Sequence, residues 1–289
     1  MPSEYQHLCN PLRLTDDAET FQLFWRQFAK DYQNRNPHSG YSILESWCNG
    51  KIQGLKAEEG GRKSEVSSWW IYSSNVDGHF HRFDAFKNTI CEIHGRASEL
   101  RCSRAICYNN KDKRIGAQWA KWNDSVNNDR NVECNGTILL AQDFFDQCKM
   151  SLMQCKNCGL PLRPNVLMFH DTDENVLSDI EIERRRYQNW EEIVEKAVVD
   201  DDFNLVILEL GCGTSVPAVR EESEEVFKDC VERIKKNKKS EGNVTLIRVN
   251  PKDFSFEFSS EKYDCSLISI AEGAEKALQY IDAYLTLLR

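Results

Sequence analysis

The sequence has no long hydrophobic run and no excess of positive charge. No apolar stretch approaches the roughly 18 residues that a transmembrane helix requires, and the polar residues 1–20 do not resemble a secretory signal peptide. The chain has 37 Lys and Arg against 46 Asp and Glu, a net charge of −9, which argues against a general nucleic-acid-binding protein. We therefore expect an intracellular protein, cytoplasmic or nuclear, that binds neither membranes nor nucleic acid directly.

Cysteine, in contrast, is abundant, with 12 residues. Outside an oxidising compartment, closely spaced cysteine pairs are metal ligands more often than disulfides. Two such pairs are present, with four and with two intervening residues: Cys102 with Cys107, and Cys155 with Cys158. Four thiolates from two short turns suit a tetrahedral zinc ion, and such a closed site is structural because no position is left for water. Cys134 and Cys148 lie between the pairs and are alternative ligands.

The spacing of apolar residues predicts helices that alternate with strands. Helical periodicity is found at 15–33, 41–49, 176–199, 220–237 and 274–288. Short apolar runs that are typical of buried strands occur at 69–74, 89–93, 203–210 and 244–249. Two polar segments, rich in glycine or in charged and amide side chains, are predicted to be loops: 50–66 and 109–131. This alternation predicts an α/β fold with a parallel sheet.

The predicted strand at 203–210 ends in a glycine turn, Gly211-Cys212-Gly213-Thr214-Ser215. A buried strand followed by Gly-x-Gly places backbone N–H groups and a helix N-terminus around the phosphate or ribose of a ligand. The turn also resembles that of S-adenosylmethionine methyltransferases. Against that interpretation, few residues follow Ser215, and the next strand ends in Asn250 rather than in an acid for the ribose hydroxyls. A tight turn without a ligand is the third alternative.

Polar side chains follow two more of the predicted strands. Asn75 and Asp77 come after the strand at 69–74, where an amide and a carboxylate can reach the crevice at the carboxyl edge of a sheet. A plain Asx turn is the alternative. His94 follows the strand at 89–93 and precedes a glycine. That position makes it a candidate general base, although a lone histidine is more often structural.

Taken in chain order, these motifs resemble those of the sirtuins, the NAD-dependent protein deacylases. The matching segments are Asn75-Val76-Asp77-Gly78, Ile93-His94-Gly95, the two cysteine pairs, Arg163-Pro164-Asn165-Val166-Leu167-Met168-Phe169, Gly213-Thr214-Ser215 and Val249-Asn250. An atypical branch of the family is the one that three segments resemble: Pro37-His38-Ser39-Gly40-Tyr41, Asn165-Val166-Leu167-Met168-Phe169 and Val216-Pro217-Ala218-Val219-Arg220. Ser74 stands where the family has glutamine, and His170-Asp171 stands where it has Gly-Glu. Residues 1–36 match neither the Gly-Ala-Gly-Ile-Ser nor the Pro-Asp-Phe-Arg segment of sirtuins, so we expect the first strand and its cofactor loop to be missing.

The resemblance implies a Rossmann-like NAD-binding domain, with helices on both faces of its sheet, formed by residues 1–94 and 166–289. It also implies a small zinc-ribbon domain at 95–165, in which one structural zinc ion is bound by Cys102, Cys107, Cys155 and Cys158. The implied reaction transfers the acyl group of an acylated lysine, in a protein or a peptide, to ADP-ribose and releases nicotinamide.

The resemblance further assigns roles to individual residues. His94 would remove a proton from a ribose hydroxyl, and Asn75 and Asp77 would hold the nicotinamide carboxamide and the adjacent ribose or water. The residues implied in NAD binding are Ser74, Asn75, Asp77, Gly213, Thr214, Ser215, Asn250 and Ala271. Val166 and Phe169 would line the tunnel for the acyl-lysine. Two other functions stay open: a sirtuin-like binding protein with impaired catalysis, and an NAD hydrolase or ADP-ribosyltransferase on the same fold.

Overall fold

The structure is a computed structural model. It describes residues 7–50, 55–59, 62–103, 131–132, 138–139, 152–155, 158–237, 242–258 and 266–288. Cys107, Cys134 and Cys148 lie outside the described residues, as does the loop predicted at 109–131 except for its last residue. None of the helices in the described part of the chain is both long enough and apolar enough to cross a lipid bilayer.

The secondary structure alternates between helices and strands. The helices are α1 (Arg13–Asp16), α2 (Ala18–Asn34), α3 (Ser39–Gly50), α4 (Glu174–Asp200), α5 (Ala218–Lys236) and α6 (Ala274–Leu287), with short 3-10 helices at His79–Arg82 and Asp84–Phe86. The strands are β1 (Leu55–Glu59), β2 (Arg62–Val66), β3 (Ile71–Ser73), β4 (Ile90–Glu92), β5 (Gly95–Cys102), β6 (Asn131–Val132), β7 (Ile138–Leu139), β8 (Gln154–Cys155), β9 (Leu162–Val166), β10 (Asn204–Leu210), β11 (Asn243–Val249) and β12 (Ser266–Ile270). All five predicted helices are confirmed, with ends displaced by at most three residues.

The prediction of a loop at 50–66 is wrong. β1 and β2 form an antiparallel hairpin in which Leu55 lies opposite Val66 and Glu59 lies opposite Arg62. Two strands of a hairpin satisfy each other's backbone groups, so a charged, glycine-containing sequence can form them without an apolar run.

The chain divides into two compact units. Unit 1 comprises Met1–Asn36, Ser73–Arg82 and Cys91–Arg184, and unit 2 comprises Pro37–Tyr72, Phe83–Ile90 and Arg185–Arg289. The domain boundaries predicted from the sequence, with a zinc-binding domain at 95–165, stay a prediction, because much of that segment lies outside the described residues.

Unit 1 is built on the packing of α2 against an antiparallel sheet with the strand order β7-β5-β9. Phe21, Trp25 and Ala29 recur at helical spacing on α2 and are almost fully buried. Asp17 caps the helix by accepting a hydrogen bond from the Thr20 N–H at 3.1 Å. The sheet side of this core includes Ala97, Leu100, Leu162 and Val166.

A buried amide on α2 also fixes the start of β9. Gln22 Nε2 donates to the carbonyls of Met153 and Leu162 at 2.8 and 2.7 Å, and Gln22 Oε1 accepts from the Met153 N–H at 2.6 Å. Three hydrogen bonds satisfy this side chain, which removes the cost of burying it.

The ladder between β5 and β9 is interrupted near its centre. Residues 95–96 lie opposite residues 165–166. The register then shifts, so that Leu100 lies opposite Pro164. Proline has no backbone N–H to contribute to a ladder. Backbone hydrogen bonds therefore secure β9 less completely here than in a regular sheet.

Unit 2 contains a parallel sheet with the strand order β10-β11-β12, which begins with Asn204 opposite Asn243 and ends with Val249 opposite Ile270. α5 connects β10 to β11 and covers one face of the sheet. Phe227 and Cys230 of α5 are fully buried against that face, together with Val244 and Leu246 of β11. The predicted α/β fold class is thus confirmed.

Candidate active site

His94 occupies the turn between β4 and β5 in unit 1. The Ile93 N–H donates to the Ser73 carbonyl at 2.9 Å, which holds the end of β3 beside this turn. The Nδ1–H of His94 then donates to the Ser74 carbonyl at 3.2 Å. A carbonyl oxygen only accepts, so Nδ1 carries the proton and Nε2 of the neutral ring keeps a free lone pair.

The surroundings of His94 favour its neutral form. Burial lowers the pKa of His94 below its ordinary value of 6.5, and the hydrogen bond to the Ser74 carbonyl opposes this shift without cancelling it. Above the lowered pKa the ring is an uncharged imidazole in a fixed tautomer. That is the state in which a histidine can act as a general base.

The backbone places His94 next to the segment that was predicted to bind the acyl-lysine. The Leu167 N–H donates to the His94 carbonyl at 3.0 Å. Gly95 has a φ of 71°, and a Cβ on it would lie 2.1 Å from the Asn165 carbonyl oxygen. Only glycine fits this position, because other residues would meet both the left-handed backbone and the overlap.

Hydrogen bonds hold the Ser74–Gly78 loop in a turn and attach it to β5. Asp77 Oδ1 accepts from the His79 N–H at 2.8 Å, so Asp77 forms the Asx turn that was the alternative interpretation of this segment. The Val76 carbonyl accepts from the Ala97 N–H at 2.9 Å. Asn75 is exposed, and its backbone N–H donates to Ser73 Oγ at 3.1 Å. The roles predicted for Asn75 and Asp77 toward a cofactor stay predictions.

Val166 and Phe169 lie at the end of β9 and in the loop that follows it. Val166 is 4% exposed and Phe169 packs against the same hydrophobic core. The loop is anchored by Arg163, whose guanidinium binds both oxygens of Asp171. Burial alone would raise the pKa of Asp171, but the hydrogen bonds and charge of Arg163 lower it, so the ion pair persists at neutral pH.

Three of the four predicted metal ligands come together in unit 1. The Sγ atoms of Cys102, Cys155 and Cys158 all lie within 4.8 Å of one another, with Cys102 and Cys158 3.4 Å apart. Sulfur ligands about 2.3 Å from a zinc ion are about 3.8 Å apart, so the cluster has the dimensions of a zinc site. The Gly159 N–H donates to the Cys155 carbonyl at 2.8 Å and closes the turn that presents two of the thiols. The fourth predicted ligand, Cys107, lies outside the described residues, so its role stays a prediction.

The second group of predicted residues lies in unit 2, where the three parallel strands end at one edge of the sheet. The glycine turn follows β10, Asn250 follows β11 and Ala271 follows β12. Gly211 has a φ of 71°, and its N–H donates to the Val249 carbonyl at 2.8 Å. Thr214 and Ser215 are exposed in front of the N-terminus of α5. Exposed hydroxyls and the N-terminus of α5 therefore lie together after the end of β10.

The Asn250 side chain joins the loops at this edge. Its Nδ2 donates to the Cys212 carbonyl at 3.0 Å, and its Oδ1 accepts from the N–H groups of Lys252 and Asp253, both at 2.9 Å. Asn250 is 7% exposed. Its contacts within the structure brace the glycine turn, and its predicted contact with a cofactor stays a prediction.

The sequence analysis did not identify Asp253 as a residue of this edge, and it did not identify the contact with Arg220 that holds its backbone. Asp253 Oδ2 lies 3.4 Å from the place that a Cβ on Gly213 would occupy, so this carboxylate borders the glycine turn. Arg220 donates to the carbonyls of Asp253 and Ser255 at 3.0 and 2.9 Å. The only sequence signal was the position of Asp253 in the loop after β11, since its partner Arg220 is 33 residues away.

A fully buried ion pair lies within the sheet behind this edge. Arg248 on β11 donates Nε–H and Nη2–H to the two oxygens of Glu209 on β10, at 2.7 and 2.9 Å. It also donates to Glu224 of α5 at 2.8 Å and to the Ser255 carbonyl at 2.9 Å. These contacts fix the segment that follows Asp253 to the strands that carry the predicted cofactor residues.

The predicted residues are divided between the two units. Unit 1 contains the predicted catalytic, substrate and metal residues and part of the predicted cofactor set, namely Ser74, Asn75, Asp77, His94, Val166, Phe169, Cys102, Cys155 and Cys158. Unit 2 brings together Gly213, Thr214, Ser215, Asn250 and Ala271.

Comparison with known proteins gives a match at the level of the fold. No protein-family model matches the sequence, and no curated protein matches it. Among solved structures, the chain is similar to a Sir2 homologue in complex with NAD, with a TM-score of 0.52, 15% identity, and coverage of 98% of this chain and 78% of that one. It is also similar to a triple mutant of Sir2 homologues in complex with 2′-O-acetyl-ADP-ribose, with a TM-score of 0.50, 15% identity, and coverage of 98% and 80%.

A third similar structure is a Sir2 point mutant with a p53 peptide and NAD, with a TM-score of 0.51, 12% identity, and coverage of 99% of this chain and 85% of that one. At these identities the likeness shows the fold alone. The chain has the fold of Sir2 homologues.

Proposed function

We propose that this protein is an NAD-dependent protein-lysine deacylase of the sirtuin type. The observation that carries the proposal is the state of His94. Its Nδ1–H is committed to the Ser74 carbonyl, its Nε2 is free to accept a proton, and its backbone is hydrogen-bonded to Leu167 in the segment that would receive the acyl-lysine. The likeness to Sir2 homologues that were solved with NAD or with a peptide supports the same assignment.

The adenosine half of NAD would bind at the carboxyl edge of the sheet in unit 2. Gly213, Thr214 and Ser215 offer backbone N–H groups and hydroxyls there, and the missing side chain of Gly213 leaves the backbone accessible to a ribose. Asp253, which borders Gly213, would accept hydrogen bonds from ribose hydroxyls. Ala271 would contact the nucleotide through its backbone.

In the reaction itself, each residue of unit 1 would have a distinct task. NAD would supply a ribose carbon that becomes electrophilic as nicotinamide leaves. Asn75 and Asp77 would orient the nicotinamide carboxamide and the adjacent ribose. Nε2 of His94 would take the proton of a ribose hydroxyl, which makes that oxygen nucleophilic toward the acyl carbon. Val166 and Phe169 would exclude water around the acyl-lysine.

The metal site would contribute to stability and not to the chemistry. Cys102, Cys155 and Cys158 have the spacing of zinc ligands, and we propose Cys107 as the fourth. Four thiolates fill the coordination sphere of zinc, so no water is activated at such a site. The ion would link the end of β5 to the turn that follows β8.

The test is nicotinamide release from NAD, measured with and without an acetyl-lysine peptide. We expect release that depends on the peptide, and a loss of about 10²- to 10⁴-fold in kcat for His94→Ala, the range for removal of a general base. NAD affinity, measured by calorimetry, should change little in that variant. His7→Ala, which alters an exposed histidine outside the site, is the matched control and should keep full activity.

Three outcomes would contradict the deacylase assignment. Release of nicotinamide without any peptide would identify an NAD hydrolase or an ADP-ribosyltransferase. Binding of NAD or of the peptide with no turnover would identify a catalytically impaired binding protein. Full peptide-dependent activity in His94→Ala would remove His94 from the mechanism.

A further inference from the structure

A buried asparagine lies behind the proposed catalytic turn. Asn165 is adjacent to Val166 in β9, so its side chain points to the opposite face of the sheet. It is 2% exposed. Its Nδ2 donates to Glu99 Oε2 at 3.3 Å, and its Oδ1 accepts from Arg101 Nη1 at 2.9 Å. Both partners belong to β5, so the amide links the two strands through side chains.

The partners of Asn165 are themselves members of ion pairs. Glu99 Oε1 lies 2.8 Å from Arg96 Nε, and Arg101 Nη1 lies 3.2 Å from Asp179 Oδ2 of α4. Asn165 therefore joins the carboxyl group of Glu99 to the guanidinium of Arg101. Burial raises the pKa of Glu99 to about 7, and Arg96 and the hydrogen bond from Asn165 oppose this rise because they favour the ionised form. The amide serves both partners through two separate atoms, Nδ2 as the donor and Oδ1 as the acceptor.

The backbone explains why a side chain is needed at this point. The β5–β9 ladder shifts register between Arg96 and Leu100, and Pro164 contributes no N–H. Immediately beyond this gap, the Asn165 carbonyl packs against Gly95, which follows His94. The position of His94 relative to Val166 thus depends on a part of β9 that the backbone ladder secures incompletely.

We propose that Asn165 is a positioning residue for His94: its amide fastens β9 to Glu99 and Arg101 and so sets the distance between the His94 ring and the Val166–Phe169 segment. The role of His94 in this inference rests on the proposed deacylase function. The placement of the His94 ring is a separate physical property, and it can be measured whether or not the protein is active.

The first experiment exchanges hydrogen-bonding groups between positions 165 and 99. Asn165→Asp keeps an acceptor for Arg101 but puts two carboxylates side by side. Adding Glu99→Gln restores a donor opposite the new carboxylate and returns the net charge to that of the wild type. Asn165→Leu, whose side chain branches at the same atom as that of asparagine, removes both hydrogen bonds. Gln22→Ala is the control, because it removes a buried amide that fastens the other end of the same strand.

The readout is the pKa of the His94 ring, followed by NMR in protein labelled at its six histidines and assigned with His94→Ala. We expect the pKa to be below 6.5 in the wild type and in Gln22→Ala, and to rise toward 6.5 in Asn165→Leu as the turn loosens and admits water. The double variant with Asn165→Asp and Glu99→Gln should have the wild-type His94 pKa, and Asn165→Asp alone should not. An unchanged pKa in Asn165→Leu would overturn the proposal.

If Asn165→Leu does not fold, the comparison of Asn165→Asp with the double variant that also carries Glu99→Gln tests the proposal by itself. The same His94 pKa in Asn165→Asp and in the double variant would overturn the proposal. With an active wild type, misplacement of the ring predicts a fall in kcat of up to about 100-fold with little change in the KM for NAD. If the wild type is inactive while the pKa follows the expected pattern, the deacylase assignment fails and the positioning role of Asn165 stands.

Discussion

Replacing Gly95 by alanine tests the contact that places His94 against β9. Two effects add at this position. The φ of 71° puts any other residue in the left-handed region, at a cost of about 1–2 kcal/mol. The new Cβ would also lie 2.1 Å from the Asn165 carbonyl oxygen, closer than real Cβ atoms approach a neighbour.

The overlap must be relieved by moving β9 or the turn. Overpacking of this kind costs about 1–3 kcal/mol. The two effects together predict a loss of about 2–5 kcal/mol in the free energy of unfolding. This is a large fraction of the roughly 5–15 kcal/mol that stabilises a typical domain. The displacement should also weaken the hydrogen bond from the Leu167 N–H to the His94 carbonyl.

The assay is urea denaturation followed by far-UV circular dichroism. Gly159→Ala is the matched control in the same unit, since Gly159 has the same φ of 71° but, among the described residues other than its chain neighbours, no atom lies within 4 Å of the added Cβ. Gly95→Ala should be less stable than Gly159→Ala by the overlap alone, about 1–3 kcal/mol. Equal stability of the two variants would show that the Asn165 carbonyl does not press on Gly95, and would refute the close approach.

Two further predictions concern the metal site and the charge of unit 2. Cys155→Ser should lower the zinc content from one ion per chain to near zero and reduce the thermal stability, as measured by atomic absorption and calorimetry; an unchanged zinc content would refute the proposed ligand set. Burial, with Glu222 as the next contributor, raises the pKa of Glu191 to about 8. Because this folded-state pKa is above the unfolded value of about 4.3, the associated stability is present at low pH and is lost as the pH rises toward 8. Glu191→Gln should flatten that part of the stability profile, and parallel profiles for the wild type and the variant would contradict the raised pKa.

Several features of the fold could be predicted because neighbouring residues encode them. Phe21 and Trp25 recur at helical spacing, so α2 was predictable within a few residues. The apolar run at 203–210 predicted β10, and the glycine turn after it marked the carboxyl edge of the sheet. His94 was recognisable from its place between a strand and a glycine. In each case the information lies within one element or at its end.

The hairpin of β1 and β2 and the register of β5 and β9 were not predictable in this way. β1 and β2 are charged strands that depend on each other's backbone groups, so neither has a distinctive sequence of its own. The register shift in β5 depends on which residues of β9 lie opposite, and this pairing cannot be predicted from the sequence of either strand alone. The hydrogen bond from the Ala97 N–H to the Val76 carbonyl likewise joins two separate segments of the chain.

What the sequence determined by itself is the order of the elements and the residue types available at their ends: cysteines in pairs, a histidine before a glycine, an amide after a strand. Tertiary structure decided how those residues are used. It fixed the His94 tautomer through the Ser74 carbonyl, committed the Asn250 side chain to bracing its own loops, and made Asn165 the link between Glu99 and Arg101. The physical reason is that a polar side chain acquires its role from the partner it meets on burial, and in these pairs that partner lies between 20 and 66 residues away in the chain.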